Sequence, residues 1–583
     1  MLTGTGTSEQ QKNTQVLNLI KESRTALAGG DLKGGLANLL TAFEIKPEDE
    51  IVQTVLFDLL SCTQGYVLPR TTTDKLAYIA LQDNQNIQAL AMVLRNQLAQ
   101  DIDAKKLVSR LTTEPSIDFF TDETLDLIDT VFSDHLLQLV AAKTTCISEV
   151  LEDMITGLRK HSLALYYSEN PHKQAILERL QVYLSITACQ CFNTEYVFSF
   201  DDSELTLISR LLEDCSSAHE QAGNFEIILL ANYSPILSTI LSWDSSHIET
   251  LITEAKSISN WTLLLWQTIY SEPVKEQVSI QSIPVLDEIS NEHSVGIADQ
   301  YNSFPYPRWQ TTKTVTPASL KALITELYGS DAPADFPAAN LSTLYAGCGT
   351  GEQVLKTESM VTSEKALAVD LSKASLAYAQ RVTQDHKLEN VHYACGDILN
   401  APSWDASFDL IVCTGVLHHM KDPLAGLQSL KSVSKPHSLF HLALYSTRAR
   451  ENVREIREYI NAHNIPGNHA GIRAIREMIK DLPTDHKLKS LQETREFYSI
   501  SGFHDYIFNI HEITYTPLEV KDLLASANLK LLGIDGDKSG VKNRYLTAFP
   551  DDPYMKNLDN WEEFEKQNPD CFSGMMHFWA CHA

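Results

Sequence analysis

The stretch Leu344-Tyr345-Ala346-Gly347-Cys348-Gly349-Thr350-Gly351-Glu352-Gln353 decides the fold. An apolar run ends in three glycines at alternate positions, and a helix-like segment follows. Glycines so spaced let a strand turn sharply into a helix and let the backbone approach a ligand that a Cβ would push away. The reading is a nucleotide-cofactor loop. Spacing alone also fits plain turns, so the residues that follow carry the weight.

They come in the order a doubly wound sheet requires. A second apolar run, Ala366 to Val369, ends at Asp370, one βα unit further on, where a carboxylate can accept both ribose hydroxyls. A third, Val391 to Cys395, ends at Gly396-Asp397-Ile398, and a fourth, Phe408 to Cys413, ends at Thr414-Gly415-Val416. Four consecutive strand ends bearing small or acidic residues predict a crevice lined from one side. A nicotinamide fingerprint fits less well, because the loop reads G-x-G-x-G and lacks the third glycine of G-x-G-x-x-G.

These residues resemble the class I S-adenosylmethionine-dependent methyltransferases. Gly347, Cys348, Gly349 and Gly351 look like that family's first motif, and Asp370-Leu371 its ribose-binding acid and neighbour. Asp397-Ile398 look like its adenine-contacting pair, and Thr414-Gly415-Val416-Leu417-His418-His419 its fourth-strand segment. The resemblance implies S-adenosylmethionine as cofactor and a seven-stranded doubly wound α/β sheet. Two departures stand out. Lys435-Pro436-His437-Ser438 replaces the usual Pro-Gly-Gly turn before the fifth strand. No Asn-Pro-Pro-Tyr tetrapeptide follows the fourth, which lowers glutamine and DNA-base acceptors.

Composition sets the outer bounds. At 583 residues and 43% hydrophobic, the chain can form about three domains. Lys and Arg number 47 against 75 Asp and Glu, a net charge of −28, which disfavours nucleic acid as a partner. The ten cysteines include no C-x-x-C pair, so no metal site is expected and they read as small core hydrophobes. The opening Met1-Leu2-Thr3-Gly4 is not a basic-then-apolar leader, which points to a reducing cytoplasm. The most apolar stretch, Ile227 to Trp243, is too short for a bilayer and predicts one or two buried helices rather than membrane insertion.

Along the chain, residues 1–280 predict an all-α domain. It starts with a helical hairpin, Val16 to Leu27 and Leu32 to Ile45, whose Gly35, Ala42 and Pro47 resemble half of a tetratricopeptide repeat. Residues 281–311 form a linker that could lie over the cofactor, with Tyr306, Arg308 and Trp309 as further cofactor-binding candidates. Either an aromatic face and a guanidinium meet the ligand there, or Trp309 fills a core gap. The catalytic domain is expected over 312–550, with strands also at Leu439 to Leu444, Leu529 to Ile534 and Tyr545 to Phe549. Roughly eighty residues, about 447–525, form an inserted cap after the fifth strand, of a length that usually has its own fold. Residues 551–583 are a carboxyl-terminal segment.

The segments Cys191 to Phe198, Gln300 to Trp309, Tyr498 with Phe503 to Tyr506, His511 to Thr516, and Asn568 to Trp579 extend the likeness. They resemble bacterial proteins that join a helical amino-terminal region to such a domain. Members of that group include rickettsial protein-lysine methyltransferases acting on an outer-membrane protein. The resemblance implies a protein substrate methylated at lysine, an outer-membrane protein as candidate partner and a homodimer as candidate assembly. No catalytic base is assigned; Tyr498, His504, Glu512 and Tyr515 are candidates, His418 is expected to pack, and His419 stays open. A methyltransferase for a small metabolite, or a cofactor-sensing binding scaffold, are the alternatives.

Overall fold

A computed structural model describes residues 9–63, 65–82, 87–114, 119–217, 222–310, 320, 324–325, 329, 333, 335–337, 339–361, 363–535 and 540–583. The expected start of the catalytic domain at 312, and the residues read for a leader, lie outside them.

The amino-terminal half is helical. It opens with the expected hairpin, Glu9–Ala28 and Leu32–Ile45. Gly30 takes a left-handed φ of +82° at the turn, and the Asp31 carboxylate caps the second helix by accepting from the Gly34 amide at 2.9 Å. A Cβ on Gly35 would stand 2.6 Å from Leu27, so the missing side chain is what lets the two helices meet. Ile227 to Trp243 spans two short helices, Asn224–Leu230, mostly buried, and Leu237–Ile240, of which only Ile240 is buried.

The carboxyl-terminal half is built on a sheet of seven strands: β1 Leu341–Ala346, β2 Ser363–Asp370, β3 Val391–Cys395, β4 Phe408–Thr414, β5 Ser434–Tyr445, β6 Leu529–Ile534 and β7 Met575–His582. Their order is β3-β2-β1-β4-β5-β7-β6, with β1 to β5 parallel and β7 antiparallel between β5 and β6. Side chains alternate across it, as the period of two requires. Leu344, Ile411, Phe440 and Phe578 fill one core, while Tyr345, Leu410, Leu439 and Trp579 fill the core on the other face. Val285 adds a parallel bridge to Cys395 at the β3 edge.

The closing strand expected at Tyr545 to Phe549 is a correction. Those residues end a helix, Val541–Ala548, entered through left-handed Gly540, and Tyr545 stacks on Trp561 with ring centroids 4.2 Å apart. A strand inserted between two others must be apolar on both faces. Met575–His582 meets that demand, because Met576, Phe578, Trp579, Ala580 and Cys581 are all buried.

The segment between β5 and β6 also departs from expectation. Its helices Glu451–Ala462 and His469–Lys480 do not enclose a core of their own. Val453, Ile456, Ile475, Ile479 and Phe497 belong to the same apolar cluster as Ile155, Leu158, Val197 and Phe198 of the amino-terminal helices. Arg476, fully buried, sits at the junction and donates to the Glu152 carboxylate at 2.8 Å, the Phe497 carbonyl at 2.7 Å and the Val197 carbonyl at 3.2 Å. Burial would raise the Glu152 carboxyl pKa, but Arg476 and Lys480 outweigh it and hold the group below its ordinary value.

Breaking one side of a buried pair leaves an uncompensated charge, at a cost of about 3–5 kcal/mol. Glu152→Gln is therefore expected to lower the unfolding free energy measured in urea by that amount at pH 7, with a lower midpoint. The wild-type contribution is complete above the unfolded-chain value near 4.3 and is lost as pH falls through the lower folded value. The variant's stability should thus converge on wild type in acid; an equal midpoint at pH 7 would refute the role.

A cavity at the carboxyl edge of the sheet

The strand order reverses between β1 and β4, and the crevice of an open α/β sheet lies at that switch point. A cavity of about 990 Å³ occupies it. Gly347, Cys348, Gly349, Asp370, Leu371, Asp397, Ile398, Thr414 and Gly415 line its floor, all positions read from sequence.

The glycine loop is built by left-handed turns. Gly347, Gly349 and Gly351 have φ of +70°, +53° and +84°. The amides of Gly347 and Cys348 donate to the Val369 carbonyl at 2.8 and 2.9 Å, tying the loop to the end of β2. Each glycine lets a different part of the protein come close. A Cβ at Gly347 would stand 2.4 Å from the Val416 side chain, one at Gly349 2.9 Å from the Tyr306 carbonyl, and one at Gly351 2.9 Å from Ala379. Gly351 does not line the cavity. It caps the helix Glu352–Met360, and a Cβ there would meet Ala379.

Asp370 ends β2 with both oxygens engaged, Oδ2 accepting from the Gly349 amide and Oδ1 from the Ser372 amide, each at 2.8 Å. Burial raises its pKa against the lowering effect of these amides. Asp397 accepts from the Leu399 amide at 2.9 Å, and its own amide donates to Asp287 at 3.1 Å. Asp287 also accepts from Asn400 and the Trp404 indole, so the segment before the catalytic domain braces this corner.

The linker closes one side. Thr350 donates to the Pro307 carbonyl, Tyr378 donates to the Trp309 carbonyl, and the Trp309 indole donates to the Thr350 carbonyl at 2.9 Å. Tyr306 and Arg308 line the cavity. Trp309 does not: it is fully buried among Leu355, Tyr378 and Val382, so of its two readings the core gap is the observed one. The Arg308 guanidinium lies 4.9 Å over the Phe192 ring and 5.3 Å over Tyr378, and its Nε has no hydrogen-bond partner.

A second wall, Tyr306 apart, was not read from sequence. Tyr301, Tyr306, Tyr445, Glu496 and Asp505 face the cavity from the linker, the end of β5 and the insertion. Tyr301 donates to Asp505 at 2.6 Å and Tyr306 to Glu496 at 3.1 Å. Burial first, and then these carboxylates, raise the pKa of all three tyrosines. Of the bases considered, none is on the wall. Tyr498 and His504 are buried, Glu512 is held by Arg450 at 2.5 Å and by Arg457, and Tyr515 joins the sheet core. His418 packs on Tyr445, its pKa driven well below the ordinary value by burial, while His419 reaches the cavity and bonds the His511 carbonyl through Nδ1. Among the described residues no cluster suits a metal ion.

Residues 337–500 match a family described as a methyltransferase domain. An uncharacterized protein of Synechococcus sp. is 28% identical over 229 residues, 38% of this chain and 55% of that protein. An uncharacterized protein of Rickettsia prowazekii is 28% identical over 167 residues, 28% of this chain and 64% of its own length. The matched segments thus span less than two thirds of either relative. The solved structure of PKMT2 from Rickettsia typhi in complex with AdoHcy aligns at 19% identity with a TM-score of 0.33, over 45% of this chain and 52% of that one.

Gly349→Ala places a Cβ against a backbone oxygen in a left-handed residue, and should cost about 1–3 kcal/mol in denaturant unfolding. Gly30→Ala, equally left-handed but with nothing within 4 Å, should cost less. Equal losses would show that the contact with Tyr306 contributes nothing.

Proposed function

We propose that this chain, with its methyltransferase domain over residues 337–500, binds S-adenosylmethionine at the carboxyl edge of β1 to β4 and methylates the ε-amino group of lysine in a protein. The observation that carries the reading is the pairing of two unlike walls in one cavity. One is a glycine loop with strand-end acids, the other a set of tyrosines and carboxylates suited to an amine.

The first wall fits the cofactor. Asp370 is fixed by two backbone amides and, since a carboxylate has about four lone-pair sites, keeps acceptor capacity for a diol. Asp397 stands at the next strand end. Arg308 carries a buried guanidinium held by ring faces, with Nε unpartnered, which suits a carboxylate. When bound, the cofactor supplies an electrophilic methyl group on a sulfonium. The protein's part is alignment, which can contribute roughly 7–11 kcal/mol.

The second wall supports the amine acceptor. Tyrosine faces attract cations, and Asp505 and Glu496 complement positive charge. The chain's net charge of −28 also favours a basic polypeptide over an acidic one. The sequence resemblance to rickettsial lysine methyltransferases points the same way. No helix among the described residues is long and apolar enough to cross a membrane.

Incubation with methyl-labelled cofactor and outer-membrane proteins should place label on lysine in intact protein, read by mass spectrometry. Label found only in small molecules would reject the protein substrate. Arg308→Ala should weaken cofactor binding by about 1.5–3 kcal/mol, roughly tenfold to a hundredfold, in calorimetry. Unchanged affinity would remove Arg308 from the site.

A further inference from the structure

We propose that Asp505 is the catalytic base of this site, taking the proton from the acceptor ammonium, with Tyr301 and Asn509 as its positioning residues. The assignment rests on the amine-methylating function proposed above and adds the residue that makes the amine reactive. A lysine ammonium with a pKa of about 10.4 is present as the free amine in less than roughly one part in 10³ at pH 7. A group that accepts the proton at the site is therefore needed.

The geometry singles out one oxygen. Tyr301 Oη donates to Asp505 Oδ1 at 2.6 Å, and Asn509 Nδ2 donates to the same atom at 3.1 Å. Both donors converge on Oδ1, which leaves Oδ2 with no hydrogen-bond partner among the described residues. Asp505 is only 4% exposed, and it lines the cavity. A carboxylate that lines a cavity walled by tyrosines, held at one oxygen and with no partner for the other among the described residues, is arranged to accept a proton from a ligand. Glu496 is the other wall carboxylate, but it faces Tyr306 through a single hydrogen bond, and among the described residues no second one orients it.

Other groups bear on this corner. Arg457 and His504 act on Asp505 from the insertion, and Tyr445 and Tyr306 face it from β5 and the linker. Glu512 and Arg450 neutralise each other beside Tyr445, Arg450 covering that ring at 4.0 Å. Arg495 lies near Tyr306, and the His419 ring stands 6.4 Å from Tyr301. In the step itself an ammonium N–H bond breaks, its electron pair stays on nitrogen, and the proton bonds Oδ2. That pair then forms the new N–C bond as the methyl leaves the sulfonium with its bonding pair remaining on sulfur. Asp505 later returns the proton to solvent.

The test uses the full chain and a lysine-containing peptide from a protein that the wild type labels. Asp505→Asn keeps the size and an acceptor for Tyr301 but should lower methylation at pH 7 by about 10²–10⁴-fold. The deficit should shrink towards pH 10, where solution supplies the free amine; a purely structural defect would not follow the amine's titration. Tyr301→Phe, as a second variant, should lose roughly tenfold and move the pH profile in the same sense. In calorimetry, n-butylammonium should bind Asp505→Asn at least tenfold more weakly than wild type, while S-adenosylhomocysteine binds both equally. A wild type that labels no lysine overturns the proposed function and this assignment with it. A wild type that labels lysine, with Asp505→Asn matching it or deficient by a pH-independent factor, overturns the assignment alone.

Discussion

The insertion between β5 and β6 cannot bury its own apolar side chains, and much of the molecule is arranged around that constraint. Its helices complete their core against the amino-terminal helices, and Arg476 carries the polar part of the joint. A guanidinium with no exposed surface must find an acceptor for each donor and a compensating charge. It finds them in Glu152, in the carbonyl of Val197 and in the carbonyl of Phe497. Phe497 is next to Glu496 on the cavity wall, so the same bonds that neutralise Arg476 fix the backbone from which the wall is built.

The neighbouring latch works by similar means. After the helix Lys173–Asn193 the chain takes left-handed φ at Glu195 and Tyr196, which turns the Glu195 carboxylate to accept from the Ser501 amide at 2.7 Å. Phe192, from the same helix end, lies beneath Arg308. One short stretch of the helical half therefore supports both walls, one through Ser501 and the other through a ring face. The helical region is thus part of the cavity's framework as well as a surface beside it.

How much of this was legible in the sequence follows from where each signal resides. β1 to β5 and the acids at their ends were readable because each is a contiguous apolar run closed by a small or acidic residue. The last strand was not, since Tyr545-Leu546-Thr547-Ala548-Phe549 is a short run rich in aromatic and apolar residues, while Met575–His582 mixes histidines into its apolar run. The histidines are accommodated rather than excluded, His577 meeting His441 of β5 with ring centroids 5.9 Å apart and His582 bonding Ser434 at 2.7 Å. Trp309 and Gly351 stand beside the cavity without lining it, and spacing could not show this, because it says that a residue is near a turn and not which neighbour it meets. The shared core was illegible for a plainer reason: Glu152 and Arg476 are 324 positions apart, and no periodicity links them.

The tyrosine and carboxylate wall has the same origin. Tyr301 ends a helix, Tyr445 ends β5, and Glu496 and Asp505 lie on short turns of the insertion, so no local pattern marks them as a set. What brings them together is the long connection after β5, which crosses to the helical half and returns to the sheet where the Tyr515 amide bonds the Tyr445 carbonyl at 2.8 Å. The cofactor-side floor is dictated by the parallel sheet, whose strand ends must converge at the switch point. The opposite wall obeys no such rule, since it is set by whatever the insertion packs against. A sheet of this kind can therefore keep one floor while its acceptor chemistry changes with the insertion and the domain that holds it. In this chain the two halves are locked to each other through Arg476 and Glu195, which makes the tyrosine and carboxylate wall a property of the whole chain and not of the sheet domain alone.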